Sequence, residues 1–158
     1  MSSAREEILV AFPLRPIPYT VFVYPAEYDD IAESLWQKFS GKQWDAITLM
    51  DWRMVESIEV AKRYFSPEGF AYFVPSILLG SLEDSLFLSY GLEAIIPSNQ
   101  KRTAKGDWWN LYRKLFSNVQ ADAIHAFLFE AMSLCSSGSE EEAMVDCAVS
   151  IWSIPTTQ

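Results

Sequence analysis

Cations are missing from the last third of this sequence: no Lys or Arg follows Lys114, while six carboxylates do. The chain has a single histidine, His125, and two cysteines, Cys135 and Cys147, with no close Cys-x-x-Cys pair. A metal centre built from His and Cys ligands is therefore not expected, and neither is any cofactor. With six glycines there is no Gly-rich phosphate loop and no Gly-x-Ser-x-Gly elbow. No apolar run approaches the roughly 18 residues of a membrane span. The opening Met-Ser-Ser-Ala-Arg-Glu-Glu-Ile places carboxylates where a signal peptide has basic residues, so a cytoplasmic location without membrane contact is expected. If a loop at Ser136 to Ser139 joins two antiparallel helices, Cys147 lies about 12 Å along the second one. That exceeds the roughly 7 Å a disulfide allows between Cα atoms, so two free thiols are expected.

What the chain does have is apolar mass. Its 158 residues are 50% hydrophobic and 15% aromatic, enough for one real core and one domain over residues 1–158. Net charge is -9 and unevenly spread, which argues against nucleic acid as the main ligand and for a basic protein partner, or simply for a solubilising surface.

The stretch from Ser66 to Gly80 organises the rest. Ser66 suits a helix N-cap, Pro67 the first helical position, and Glu68 the positive end of the helix dipole. Phe70, Phe73, Val74, Ile77 and Leu78 fill one wide face at 100° per residue, and Tyr72 and Leu79 widen it. Such a helix needs neighbours on most sides. Pro75 predicts a kink and Gly80 an end.

Taken in order, Ser3 to Phe12 reads as a short helix with Ile8, Leu9, Ala11 and Phe12 apolar. Tyr19 to Tyr24 reads as extended chain packed on the core, since no convincing second strand exists to pair with it. Pro25 opens a helix with Tyr28, Ile31, Ala32, Leu35 and Phe39 inward, Asp29, Asp30 and Glu33 outward, and Gly41 as its stop. Trp44 plugs the following turn. Trp52 to Phe65 reads as one amphipathic helix with a stripe of Met54, Ile58, Ala61 and Phe65. Ser81 to Tyr90 reads as another, closed by Gly91. The loop from Ser98 to Asp107 puts three cations near Trp108, Trp109 and Tyr112, superficially like a stacking surface for nucleic acid. The acidic surroundings oppose that, and Trp108, Leu111, Tyr112, Leu115 and Phe116 recur at core spacing. The expected fold is all-α: a single bundle of six to seven helices around the central kinked one, with at most a short extended segment at 19–24.

The last two helices carry the candidate functional residues. Ser117 with Gln120 and Ser139 with Glu142 form two capping boxes. Between the boxes, Ile124, Phe127, Leu128, Ala131 and Met132 point inward, while Asp122, His125, Glu130 and Ser133 form a polar face that Phe129 interrupts. In the final helix Met144, Cys147, Ala148, Ile151 and Ile154 form the core stripe. A partner-binding surface is expected on Asp122, His125 and Phe129, with Glu140, Glu141, Glu142 and Asp146 as its electrostatic rim.

The runs Phe39-Ser40-Gly41-Lys42-Gln43-Trp44 and Phe65-Ser66-Pro67-Glu68-Gly69-Phe70-Ala71-Tyr72-Phe73-Val74-Pro75 come before Gln120, Ala123-Ile124 and Phe127-Leu128. In that order they resemble a bacterial helical domain family of unknown function, over roughly residues 8–134. The sequence departs from the family pattern at Gly69 and by the helix after Ser139. The resemblance implies a helical fold and transfers no catalytic residue. Two functions then compete. One is an acidic module that neutralises or regulates a basic partner such as a toxin or effector, as immunity proteins and antitoxins do. The alternative is a small-molecule-binding or hydrolytic enzyme using Asp122 and His125, although no Ser or Cys nucleophile is tied to that pair by motif.

Overall fold

A computed structural model describes residues 3–99 and 101–154. Residue 100 of the expected exposed loop, and residues 1–2 and 155–158 of the expected domain, lie outside the described residues. The fold is all-α. The helices are α1 (Ala4–Ala11), α2 (Asp30–Phe39), α3 (Leu49–Arg53), α4 (Ile58–Tyr64), α5 (Pro67–Glu83), α6 (Leu88–Ala94), α7 (Asp107–Lys114), α8 (Asn118–Leu134) and α9 (Glu140–Trp152). Short 3-10 turns at Trp44–Ala46 and Ser85–Phe87 complete the path.

Helix α5 is the centre: it packs against α1, α3, α6, α7 and α8. It starts as expected, with the Ser66 hydroxyl accepting the Gly69 N–H at 3.0 Å and Pro67 in the first turn. Phe70, Phe73, Val74, Ile77 and Leu78 are all fully buried. Pro75 lies inside the helix and is also buried. Gly80 does not end it. A side chain there would bring its Cβ to 2.8 Å from the Leu49 Cβ, so Gly80 serves the close approach of α3. The helix stops at Asp84, whose extended backbone leaves the helix and whose carboxylate accepts the Leu86 N–H of the next turn at 3.3 Å. Gly91 accordingly sits inside α6 and closes nothing.

The described residues form nine helices, more than six or seven, in part because the stretch from Trp52 to Phe65 holds the end of α3 and all of α4. Ser57 accepts the Val60 N–H at 3.1 Å and restarts the chain as α4. Met54 falls in the break and is exposed, whereas Trp52 is fully buried. The Trp52 indole N–H donates to the Ser76 hydroxyl at 2.8 Å, and that hydroxyl donates to the Phe73 carbonyl at 2.6 Å, so both polar groups are satisfied inside the core. The α2 helix likewise starts later than Pro25: Asp29 is its cap, accepting the Ala32 N–H at 2.8 Å, and Tyr28 lies before it and is exposed. Leu9, Leu111, Leu115, Met132 and Ile154 are exposed instead of buried, Leu115 and Ile154 lying at or beyond the ends of α7 and α9.

The segment 19–24 is extended, as expected, and finds a backbone partner outside any sheet. Phe22 and Phe65 form an isolated antiparallel bridge, with Val23 N–H to the Tyr64 carbonyl at 2.7 Å and Ser66 N–H to the Val21 carbonyl at 2.8 Å. Gly69 makes this possible, since any Cβ there would collide with the Val21 carbonyl. Trp44 is buried and donates its indole N–H to the Pro13 carbonyl at 3.2 Å. Cys135 and Cys147 are free thiols.

Candidate functional site

Helices α8 and α9 form an antiparallel pair. At the start of α8 the capping box is complete: Ser117 N–H donates to Gln120 Oε1 at 3.0 Å, and Gln120 N–H donates to Ser117 Oγ at 3.2 Å. At the start of α9 only half forms. Glu142 N–H donates to Ser139 Oγ at 3.2 Å, but the Glu142 carboxylate turns to the Gly138 N–H, also at 3.2 Å. It tightens the loop instead of closing the box.

His125 is where the two helices meet. Its Nε2 lies 3.0 Å from the Trp152 carbonyl oxygen, and a carbonyl can only accept, so Nε2 carries the proton. This bond satisfies one of the orphan carbonyls at the end of α9. No hydrogen bond joins Asp122 to His125. Helical spacing puts Phe129 and Met132 on the same side of α8 as His125, one and two turns further along. Phe129 is 83% exposed, the highest value for any aromatic residue of the helices. Met132 and, on α9, Val149 are also exposed. The outer seam of the pair is thus apolar along Phe129, Met132 and Val149.

The same two helices carry five carboxylates besides Glu130. Asp122, Glu140 and Asp146 are exposed, and Glu141 and Glu142 are half-buried. Among the described residues the ion pairs are Arg5–Glu83, Lys38–Asp51, Arg63–Glu59 and Arg102–Glu93, so none of these five carboxylates is paired. Their field is felt locally. Burial first, and then Glu141, Glu142 and Asp146, push the Cys135 thiol above its ordinary value. One cation does approach α9 from outside the last third. Arg102, held charged chiefly by its two hydrogen bonds to Glu93, is also stabilised by Glu140, and its carbonyl lies 3.7 Å from Cys147 Sγ. The sixth carboxylate, Glu130, accepts the Ala4 N–H at 2.9 Å and ties α8 to α1.

A second polar centre was not anticipated. Lys62 is only 7% exposed and donates to the Glu93 carbonyl at 2.7 Å, the Ile96 carbonyl at 2.7 Å and Ser98 Oγ at 2.8 Å. Burial pushes its pKa down to about 7. The sequence did contain a signal. Lys62 lies within the buried stripe of Ile58, Ala61 and Phe65 on the 3.6-residue period. It borders a cavity of about 550 Å³ lined by Arg63, Ser98, Lys105, Trp108 and Trp109 among others. When Lys62 is charged, all three ammonium protons are spent on the C-terminal end of α6 and the chain after it, so Lys62 works as a cap and offers the cavity no free donor. Within the described residues no three His, Cys, Asp or Glu side chains converge as a metal site, and no helix is long and apolar enough to cross a membrane.

No protein-family model, curated protein or solved structure matches this chain.

Proposed function

We propose that this chain is an acidic protein-binding module that neutralises or regulates a basic partner protein, in the manner of an immunity protein or antitoxin, through the outer seam of α8 and α9. The observation that carries the reading is Phe129, an 83% exposed aromatic ring on a helix pair whose carboxylates have no ion-pair partner among the described residues. An exposed aromatic on a helix pair whose acidic residues form no ion pair fits a docking anchor: the ring supplies desolvated contact area, and the carboxylates steer a cationic surface toward the pair. Nucleic acid would be repelled by the same field. Two free thiols fit a reducing cytoplasmic setting.

The hydrolytic alternative has less support. His125 spends its Nε2 proton on a backbone carbonyl, and Asp122 does not orient the ring. Among the described residues no Ser, Thr, Tyr or Cys side chain is hydrogen-bonded to the pair.

The test is binding kinetics of basic proteins retained by the immobilised chain, at two salt concentrations. Glu140→Lys with Glu141→Lys should slow association by about tenfold at low salt and flatten its salt dependence. Phe129→Ala should instead speed dissociation, by about tenfold or more if the ring is an anchor. Equal rates for wild type and the double lysine variant at low salt would remove this surface.

A further inference from the structure

We propose that Tyr24, Tyr28 and Tyr64, with Asp29, form a second docking surface, one that stacks an arginine side chain of a basic protein partner. It lies on different elements from the α8–α9 seam and does not depend on it.

The geometry is ordered for a surface feature. The Tyr24 and Tyr28 rings are stacked, with centres 4.0 Å apart and 10° between their planes. Tyr64 stands edge-on to both, at 5.6 Å and 6.4 Å. Its hydroxyl donates to Asp29 Oδ2 at 2.6 Å, while Asp29 Oδ1 takes the Ala32 N–H that caps α2. The Tyr24 backbone is held in turn by the Trp36 indole N–H, which donates to its carbonyl at 2.9 Å. Tyr28 nevertheless remains 55% exposed, although Tyr24 stacks on one of its faces. An aromatic face fixed in place by neighbours binds at a lower entropic cost than a free one.

Charge selects the occupant. Glu27, Asp29, Asp30 and Glu33 crowd the start of α2, and no Lys or Arg occurs between Arg15 and Lys38. None of the four carboxylates belongs to an ion pair among the described residues. The nearest cation along α4, Arg63, faces Glu59 at 3.6 Å. The Tyr64 hydroxyl and the Ala32 N–H both hold Asp29 in its charged form, below the usual carboxylate range. A planar cation that stacks on a tyrosine face and also donates to a carboxylate is a guanidinium, whereas a lysine ammonium stacks poorly.

The experiment uses two fluorescein-labelled peptides, one alternating Gly with Arg and the other Gly with Lys, titrated against the full chain by fluorescence anisotropy at moderate salt. The arginine peptide should bind roughly three- to tenfold more tightly, the size of one stacked guanidinium. That preference should vanish in Tyr28→Leu, which keeps apolar area but removes the π face. It should survive in Glu140→Lys with Glu141→Lys and in Phe129→Ala, so failure here is separable from failure of the α8–α9 reading. With ring-labelled tyrosine, the arginine peptide should shift the Tyr28 resonances in the wild type and leave Tyr19, which is fully exposed, in place. Equal affinity for the two peptides, a preference retained in Tyr28→Leu, or unmoved Tyr28 resonances would overturn the proposal.

Discussion

Lys62 donates from its ammonium to the Ile96 carbonyl at 2.7 Å, tying α4 to the chain just beyond α6. Three acceptors surround a cation that is almost wholly out of water, so two tendencies oppose each other there. Burial favours the neutral amine, while three hydrogen bonds need all three protons. Burial prevails in the balance, with the pKa at about 7 against an ordinary 10.5.

The pH dependence follows in sign. Between about pH 7 and pH 10.5 the unfolded chain keeps a proton on Lys62 that the folded chain has released. Raising the pH through this window therefore favours folding, by at most about 1.4 kcal/mol per pH unit. Below pH 7 both states are charged and the burial penalty is fully present. Tyr64, pushed up to about 12 by its bond to Asp29, acts in the opposite sense above pH 10. Urea denaturation of wild type and Lys62→Met should therefore be compared between pH 7 and 9.5, where the wild type should gain on the variant as pH rises. Parallel curves would mean that Lys62 keeps an ordinary affinity for its proton.

The core makes a simpler demand. Phe73 is fully buried, with its ring edge-on to Phe39 at 5.1 Å and to Tyr72 at 4.8 Å. Phe73→Ala removes a whole ring from a close-packed site and should lower stability by about 3 to 5 kcal/mol. A melting temperature equal to wild type would place the ring outside the core.

The thiols give a check on both chemistry and charge. Cys135 and Cys147 are half-buried, and both are raised above their ordinary value, first by burial. Denatured, never-reduced protein should label at both cysteines. Native protein at neutral pH should label more slowly than a free thiol, because only the thiolate reacts. Absence of labelling after denaturation would indicate a bond between them.

What the sequence made legible was mostly local. The caps at Ser66 and Ser117, Pro67 in the first turn of α5, and the buried set from Phe70 to Leu78 depend on neighbours within one or two turns, so spacing alone reveals them. Exposed Phe129 was legible for the same reason. Gly80 and the acceptors of Lys62 were not, because distant chain sets them, and Met54 was misread although the Ser57 cap that breaks the helix lies only three residues on. Gly80 meets Leu49, Met54 sits in a break created by the Ser57 cap, and Lys62 finds acceptors more than 30 residues away. The tyrosine surface was hidden in the same way: Tyr64 reaches Asp29 only after α4 has folded across the extended segment.

Gly69 separates local preference from tertiary constraint most cleanly. In an exposed helix interior, replacing Gly with Ala is favourable by about 1 kcal/mol. Here the added methyl would meet the Val21 carbonyl, and backbone cannot step aside as a flexible side chain can. Relieving the collision moves the extended segment away from α5 and strains the bonds from Ser66 N–H to the Val21 carbonyl and from Val23 N–H to the Tyr64 carbonyl. Two such bonds, at about 1 kcal/mol each, together with the steric strain outweigh the gain in helix propensity. Gly69→Ala should therefore destabilise by about 1 to 3 kcal/mol, and amide exchange at Val23 should accelerate more than at core positions of α8. A variant as stable as wild type, with Val23 equally protected, would show that the segment can shift without loss and that Gly69 is dispensable.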